Sequence, residues 1–169
     1  MLRCVCALLV IASFLAACVP RADLLKQECD GGNMLGCFNL GTMYANGKGG
    51  MAKDEIRAAA LYQQACDGGC MLSCNNLGAT YAEGKGGKKD EIRAAALYQQ
   101  ACDGGYVLGC SNLGVMYANG TGGRLKDEAR AAALYKQACD GGEDVGCFNL
   151  RGGDGVFRGT LSNAVNTVK

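Results

Sequence analysis

Eight of the twelve cysteines stand in four pairs, and the two members of each pair lie eight positions apart. The pairs bracket four related segments: CDGGNMLGC (Cys29 to Cys37), CDGGCMLSC (Cys66 to Cys74), CDGGYVLGC (Cys102 to Cys110) and CDGGEDVGC (Cys139 to Cys147). Cysteine at this density is typical of exported proteins, because an oxidising compartment converts thiols into disulfides. The chemistry that the residue types support best is therefore cross-linking.

Catalytic chemistry has few candidates in this chain. Histidine is absent, which removes the usual zinc ligand and the usual base for a cysteine nucleophile. Beyond Cys18 the serines are Ser73, Ser111 and Ser162, and none is followed by lysine three positions later. A serine β-lactamase would need that lysine. We predict no catalytic residue, no metal site and no cofactor.

The charge of the chain is nearly balanced. The formal net charge is +1, and it becomes zero if Arg3 is removed with an N-terminal signal. A neutral protein lacks the basic surface that nucleic acids and anionic lipids attract. We therefore expect no nucleic-acid partner.

The first residues have the pattern of a secretory signal. Arg3 is followed by an apolar run from Val5 to Ala17, which is too short to span a bilayer. The run ends in Leu-Ala-Ala-Cys at 15–18, which resembles the bacterial lipobox. We predict a signal peptide at 1–17 and lipidation of Cys18, with a plain signal cleaved nearby as the alternative. The protein would then be a periplasmic or cell-surface lipoprotein, or secreted, and a lipid anchor would be its one membrane contact.

The cysteine segments mark a repeat of 36 or 37 residues, a period typical of a solenoid. The second cysteine opens a segment, CFNLGTMYANG in its first copy, in which Cys37, Leu40, Gly41 and Tyr44 share one helical face. We name this segment helix A, and its glycine predicts a close neighbouring helix. A second segment, first seen as KDEIRAAALYQQAC at 53–66, has an acidic start and strong helix formers. We name it helix B.

A glycine pair lies between the two cysteines of each pair. In one continuous helix their Cα atoms would lie about 12 Å apart, whereas a disulfide needs roughly 4.4–6.8 Å. Because Gly-Gly ends helix B and reverses the chain, the cysteines can meet across the hairpin. We predict the disulfides Cys29–Cys37, Cys66–Cys74, Cys102–Cys110 and Cys139–Cys147. Cys70 is left over, as a free thiol, an intermolecular disulfide or a bridge shifted to Cys66 or Cys74.

The motif LGxxYxxGxGG, followed by DEIRAAALYQQACDGG, resembles the Sel-like repeat, a relative of the tetratricopeptide repeat. With the paired cysteines it is similar to the Helicobacter cysteine-rich protein family. The resemblance covers Cys29 to Leu150 and implies an exported, right-handed superhelix of antiparallel helix pairs. It implies two competing functions: a binding scaffold, and penicillin binding with β-lactamase activity.

We therefore predict an all-α fold, an α-solenoid of disulfide-linked antiparallel helix pairs. A lone helix at 18–28 would precede the repeat domain at 29–150, which has three full units and a broken fourth. Residues 151–169 are an atypical tail. A cap formed by Ser162 to Lys169, a truncation and a frame change are the alternatives for it.

An asparagine precedes the leucine of each helix A, beside the core face: Asn39, Asn76, Asn112 and, in the broken fourth unit, Asn149. Helices A line the concave side of tetratricopeptide-like solenoids, so this row could pair with the backbone of an extended peptide. Met43 and Met116 lie beside it. The amides could instead satisfy neighbouring backbone groups within the solenoid.

We expect a monomer whose concave face binds a peptide, a protein or a peptidoglycan-like ligand. The first alternative is a penicillin-binding protein or β-lactamase, for which these residues supply no mechanism. The second alternative is a truncated paralogue with little function.

Overall fold

The computed structural model describes residues 21–151, and this part of the chain contains eight α-helices and no strand. The helices are α1 (Arg21–Asp30), α2 (Met34–Asn46), α3 (Glu55–Asp67), α4 (Met71–Glu83), α5 (Glu91–Asp103), α6 (Val107–Asn119), α7 (Glu128–Asp140) and α8 (Asp144–Leu150). The predicted signal peptide, the lipidation site at Cys18 and the tail beyond Arg151 lie outside the described residues.

The helices alternate between the two predicted types. Helices α2, α4, α6 and α8 are of type A, and helices α1, α3, α5 and α7 are of type B. Each helix packs mainly against the helices that precede and follow it in sequence. This nearest-neighbour packing is that of a solenoid, so the predicted all-α solenoid is confirmed.

Helix A begins earlier than the sequence pattern suggests. Helix α2 starts at Met34, three residues before Cys37, and the Asn33 side chain caps it by accepting hydrogen bonds from the backbone N–H groups of Leu35 and Gly36. The second cysteine of the pair therefore lies within the helix rather than at its first position.

Helix B begins where the acidic pairs predict. In all three full units the aspartate before the helix accepts a hydrogen bond, of 2.9 to 3.0 Å, from the backbone N–H three residues later. These N-caps are Asp54, Asp90 and Asp127. Each satisfies one of the donors that a helix start leaves unpaired.

The four predicted disulfides are present. Their Cα–Cα separations are 4.5 to 4.7 Å, within the range that a disulfide needs. In the second hairpin, helix α3 ends at Asp67, and Gly69 reverses the chain with a φ of 89°. Closing a loop of this length stabilises the protein by about 2.5 kcal/mol in the chain-entropy account.

A neighbouring helix lies close to each helix A glycine, as predicted, and the side chain that meets the glycine is the helix B tyrosine. A Cβ atom added to Gly114 would lie 2.7 Å from Cε1 of Tyr135, which is closer than real contacts allow. Gly41 and Gly78 stand in the same relation to Tyr62 and Tyr98. The two helices of each unit therefore pack with their backbones close together, and the tyrosine ring fills the core.

Candidate ligand-binding surface

The four asparagines of the predicted row differ in their exposure. Asn39 on α2 and Asn76 on α4 are partly exposed. Asn112 on α6 is buried, with 8% of its surface exposed. Asn149 on α8 is also partly exposed. Of the four asparagines of the row, Asn112 is therefore the buried one.

Asn112 is held by a neighbouring helix of the same type. Its side-chain amide donates a 2.8 Å hydrogen bond to Oδ1 of Asn75, which is itself 2% exposed. The Asn75 amide in turn donates to Oδ1 of Asn76, at 3.5 Å. A chain of amides thus links α6 to α4 inside the solenoid, through side chains rather than through the backbone groups that the alternative interpretation expected.

The polar chain continues toward the first unit through Tyr62. Its hydroxyl donates a 3.2 Å hydrogen bond to Oγ1 of Thr42 on α2 and also interacts with Asn76. Burial raises the pKa of the Tyr62 hydroxyl above its ordinary value, although both partners oppose the shift. Asn76 is therefore partly committed to contacts within the protein, whereas Asn39 forms no hydrogen bond through its side chain within residues 21–151.

The two methionines also differ. Met43 is partly exposed and lies over Gly49 in the loop that follows its helix. Met116 has no exposed surface and belongs to the central core cluster. A Cβ atom at Gly122 would lie 2.7 Å from its Cε, because the loop after α6 folds back over this side chain. The expectation that Met116 lines an open face is corrected accordingly.

The described serines are buried. Ser73 has no exposed surface, and its hydroxyl has no hydrogen-bond partner among the described residues. Ser111 is 2% exposed and donates a 2.6 Å hydrogen bond to Oε2 of Glu143. Neither hydroxyl is placed to attack a substrate that approaches from solvent.

A feature that the sequence reading did not identify is a tyrosine–arginine pair in each full unit. The guanidinium of Arg57 lies 5.5 Å from the ring centroid of Tyr44, and Arg93 lies 5.6 Å from that of Tyr81. In the third unit Arg124 and Arg130 both lie over Tyr117, at 4.8 and 5.5 Å. The signal was available, because this tyrosine and arginine recur at 12 or 13 positions from each other in every full unit.

These arginines are also tied to the N-caps of helix B. Arg57 lies 3.2 Å from the Asp54 carboxylate, and Arg93 lies 3.3 Å from that of Asp90. The arginine therefore joins the end of helix A to the start of helix B. Since these side chains are largely exposed, each ion pair contributes little to stability by itself.

An open surface pocket lies at the second of these pairs. Its lining residues are Tyr81, Lys88, Lys89, Asp90 and Arg93. Lys89 pairs with Glu91 at 2.5 Å and Arg93 with Asp90, so that Lys88 supplies the excess positive charge. The pocket is basic and open to solvent, and no identified nucleophile lines it.

Cys70 is a free thiol and is partly exposed. It occupies the N-cap position of α4, where it makes no side-chain capping bond. It packs against the cluster that contains the Cys29–Cys37 disulfide. Because Cys66 and Cys74 are joined to each other, the structure does not contain the shifted bridge to Cys70.

Residues 21–151 contain neither a candidate metal site nor a candidate membrane-spanning helix. No group of three or more cysteine and acidic side chains in this range is arranged to hold a metal ion. No helix in the same range is both long and apolar enough to cross a membrane.

The Sel1 repeat family matches this chain at residues 35–70, 72–106 and 107–143. No curated protein matches it significantly. Among solved structures it is similar to Helicobacter pylori cysteine rich protein B, with 27% identity and a TM-score of 0.60 over 76% of this chain and 90% of that one.

Two other solved structures are similar at 25% identity over 76% of this chain. One is c5321, a protective antigen of uropathogenic Escherichia coli strains that displays an SLR fold, with a TM-score of 0.72. The other is a Sel1 repeat protein from Oxalobacter formigenes, with a TM-score of 0.71. The match spans about a quarter of the Escherichia coli protein (27%) and about half of the Oxalobacter protein (51%).

Proposed function

Because the chain belongs to the Sel1 repeat family, in its Helicobacter cysteine-rich form, we propose that it is a scaffold that binds a peptide or cell-wall fragment along its A helices. Sel1 repeat proteins typically mediate protein interactions. Its disulfides and its cysteine-rich relatives indicate that the protein is exported from the cytoplasm. Binding would occur to a monomer, which a lipid on Cys18 would hold at a membrane.

The observation that carries this proposal is the contrast between Asn39 and Asn112. Both occupy the same position of the repeat, but the side-chain amide of Asn112 donates its hydrogen bond to Asn75. Asn39 is partly exposed and keeps its donors and acceptor unused within the described residues. An amide can both donate to and accept from the backbone of an extended peptide.

The proposed surface therefore centres on the first two units. Asn39 and Met43 of α2 would contact the ligand together with Asn76 of α4, all of which are partly exposed. Asn112 and Met116 would act from beneath, by fixing α6 against α4 and against its own loop. The face thus combines amides that can hydrogen-bond to the backbone of a ligand with a methionine that can pack against the ligand.

The proposal is tested with two sets of probes: phage-displayed random peptides and purified muropeptides. For any probe that binds the oxidised protein, Asn39→Ala should weaken affinity about 5- to 10-fold, the loss of one or two hydrogen bonds. Gln64→Ala on the exposed surface of α3 is the matched control and should change nothing. Both variants should unfold at the same urea concentration as the parent protein.

The proposal fails if neither probe set yields a ligand. It also fails if the selected ligands bind Asn39→Ala as tightly as they bind the parent protein. In that case the Sel1 fold would stand, but this face would not be its binding surface.

A further inference from the structure

The last described helix exposes a face that is covered in every full unit. Leu150 of α8 is 40% exposed, whereas its counterparts Leu40, Leu77 and Leu113 are exposed by 6%, 1% and 0%. Leu113 belongs to one core cluster with Tyr98 of α5 and Tyr135 of α7, the helices that precede and follow its own. Leu150 has no following helix to pack against, since α8 is the last helix in the described part of the chain.

The exposed face is large for a short helix. Phe148 is 58% exposed and Val145 is 46% exposed, in addition to Leu150. A solenoid needs its terminal apolar surface covered to remain soluble. Residues that could cover this surface follow α8 directly, because the chain continues from Arg151 through Lys169.

We propose that residues 161–168 of this chain pack on α8 as a shortened helix B. Leu161, Ala164, Val165 and Val168 are spaced i, i+3, i+4 and i+7, which places them on one helical face. The intervening positions, Ser162, Asn163, Asn166 and Thr167, are polar. Thr160 stands directly before this pattern, where a hydroxyl can cap the helix.

The connection is long enough. Ten residues, 151–160, link α8 to the proposed helix, and they can span up to about 33 Å. In full units helix A continues six residues past its leucine, from Leu40 to Asn46 in α2. Because α8 ends at Leu150, the chain need not travel those last two turns, about 9 Å, before it reverses.

The chain's own segment is favoured over a second copy of the protein. A short flexible tether gives its segment an effective concentration in the millimolar range, which exceeds the concentration of free protein in ordinary use. An eight-residue helix is unstable alone in water. The segment would therefore become helical only when it packs on α8.

The test uses the full oxidised chain with two double variants that add the same charge. Leu161→Asp with Val165→Asp changes the proposed apolar face, and Asn163→Asp with Thr167→Asp changes the polar face. The first should lower Tm by at least about 3 °C and should speed amide hydrogen exchange in α8 at least about 10-fold. The second should leave both unchanged.

The proposal is overturned if the two double variants behave alike. It is also overturned if α8 exchange in the parent protein accelerates when the protein is diluted from about 100 µM to about 1 µM, since an intramolecular contact is independent of concentration. That second result would assign the face to another copy of the chain.

Discussion

At the scale of single residues, identical sequence motifs have different roles in successive units. Asn39 and Asn112 both precede the leucine of helix A, yet one is partly exposed and the other is hydrogen-bonded in the interior. The difference depends on the residue before the asparagine of the neighbouring unit, which is Asn75 in the second unit. The position of the asparagine row was predictable from its spacing, but its division between surface and core depends on contacts 37 residues away in sequence.

Asn112→Ala should destabilise the protein by about 1–3 kcal/mol, because it leaves Oδ1 of the buried Asn75 without its donor. Asn39→Ala should change the free energy of unfolding by less than about 0.5 kcal/mol, as expected for a surface position. Urea unfolding of the oxidised proteins measures both values. Equal effects of the two substitutions would contradict the assigned hydrogen bond.

The buried tyrosines predict a loss of stability in alkali. Burial raises the pKa of Tyr135 to about 12, and it raises the pKa of Tyr98 also. In the unfolded chain these phenols lose their protons near pH 10, whereas in the folded protein they keep them. The contribution of these tyrosines to the free energy of unfolding should therefore be constant below pH 10 and fall between pH 10 and about 12.

Urea unfolding at several pH values measures this decline. Tyr135→Phe removes one of the titrating groups and should make the decline shallower. A free energy of unfolding that is independent of pH over this interval would show that the tyrosines are not held neutral.

The serines predict an absence of acyl-transfer activity. Ser73 and Ser111 are buried, and Ser111 is hydrogen-bonded to Glu143. We expect the purified, oxidised protein to leave the β-lactam nitrocefin intact. Hydrolysis that co-purifies with the monomeric protein would contradict this expectation, and loss of the activity in Ser111→Ala would identify the residue responsible.

At the scale of helices, the ends are set by short-range hydrogen bonds that the sequence reveals unevenly. The Asp-Glu pairs predicted the starts of helix B, because aspartate is a strong N-cap. The starts of helix A were less visible. Asn33 caps α2, but the same position holds Cys70 in α4 and Tyr106 in α6, and neither makes a capping bond.

The two ends of α3 allow one test of these caps, because each carries an aspartate. Asp54→Ala should cost about 1 kcal/mol of stability, since Asp54 accepts the backbone hydrogen bond of Arg57. Asp67→Ala at the other end should be nearly neutral, because relief of a negative charge that opposes the helix dipole offsets the loss of the exposed hydrogen bond that Asp67 accepts from Gln63. Comparison of the two urea midpoints checks the assignment, and a larger cost for Asp67→Ala would refute it.

The tyrosine–arginine pairs show what a helix-by-helix reading omits. Tyr44 and Arg57 lie on different helices, and the loop between them decides whether they meet. Their constant spacing in the three units was visible in the sequence, but the cation–π contact required the fold. Such contacts contribute about 0.5–1 kcal/mol each when exposed, so they stabilise the packing of the two helices only modestly.

At the scale of the whole molecule, the sequence predicted the solenoid well because each unit repeats the same cysteine, glycine and tyrosine positions. The cysteine period, the glycine–tyrosine contacts and the hairpins are all local, and a solenoid requires only contacts between neighbours. The binding surface was harder to predict, because burial depends on which units stand on either side. Their spacing placed Asn112 and Met116 on an open face, but both belong to α6, which is the most deeply buried of the described helices.

Each of the four disulfides joins the end of one helix B to the start of the next helix A. Each first cysteine is followed directly by an aspartate, at Asp30, Asp67, Asp103 and Asp140. Proteolysis before aspartate therefore cuts between the cysteines of every pair, and cyanogen bromide cleavage after Met71 separates Cys70 from Cys74.

Mass spectrometry of the non-reduced digest is the direct measurement. It should find the pairs Cys29–Cys37, Cys66–Cys74, Cys102–Cys110 and Cys139–Cys147, with Cys70 as a free thiol. Peptides joined across different units, or these eight cysteines recovered as thiols, would contradict this pairing.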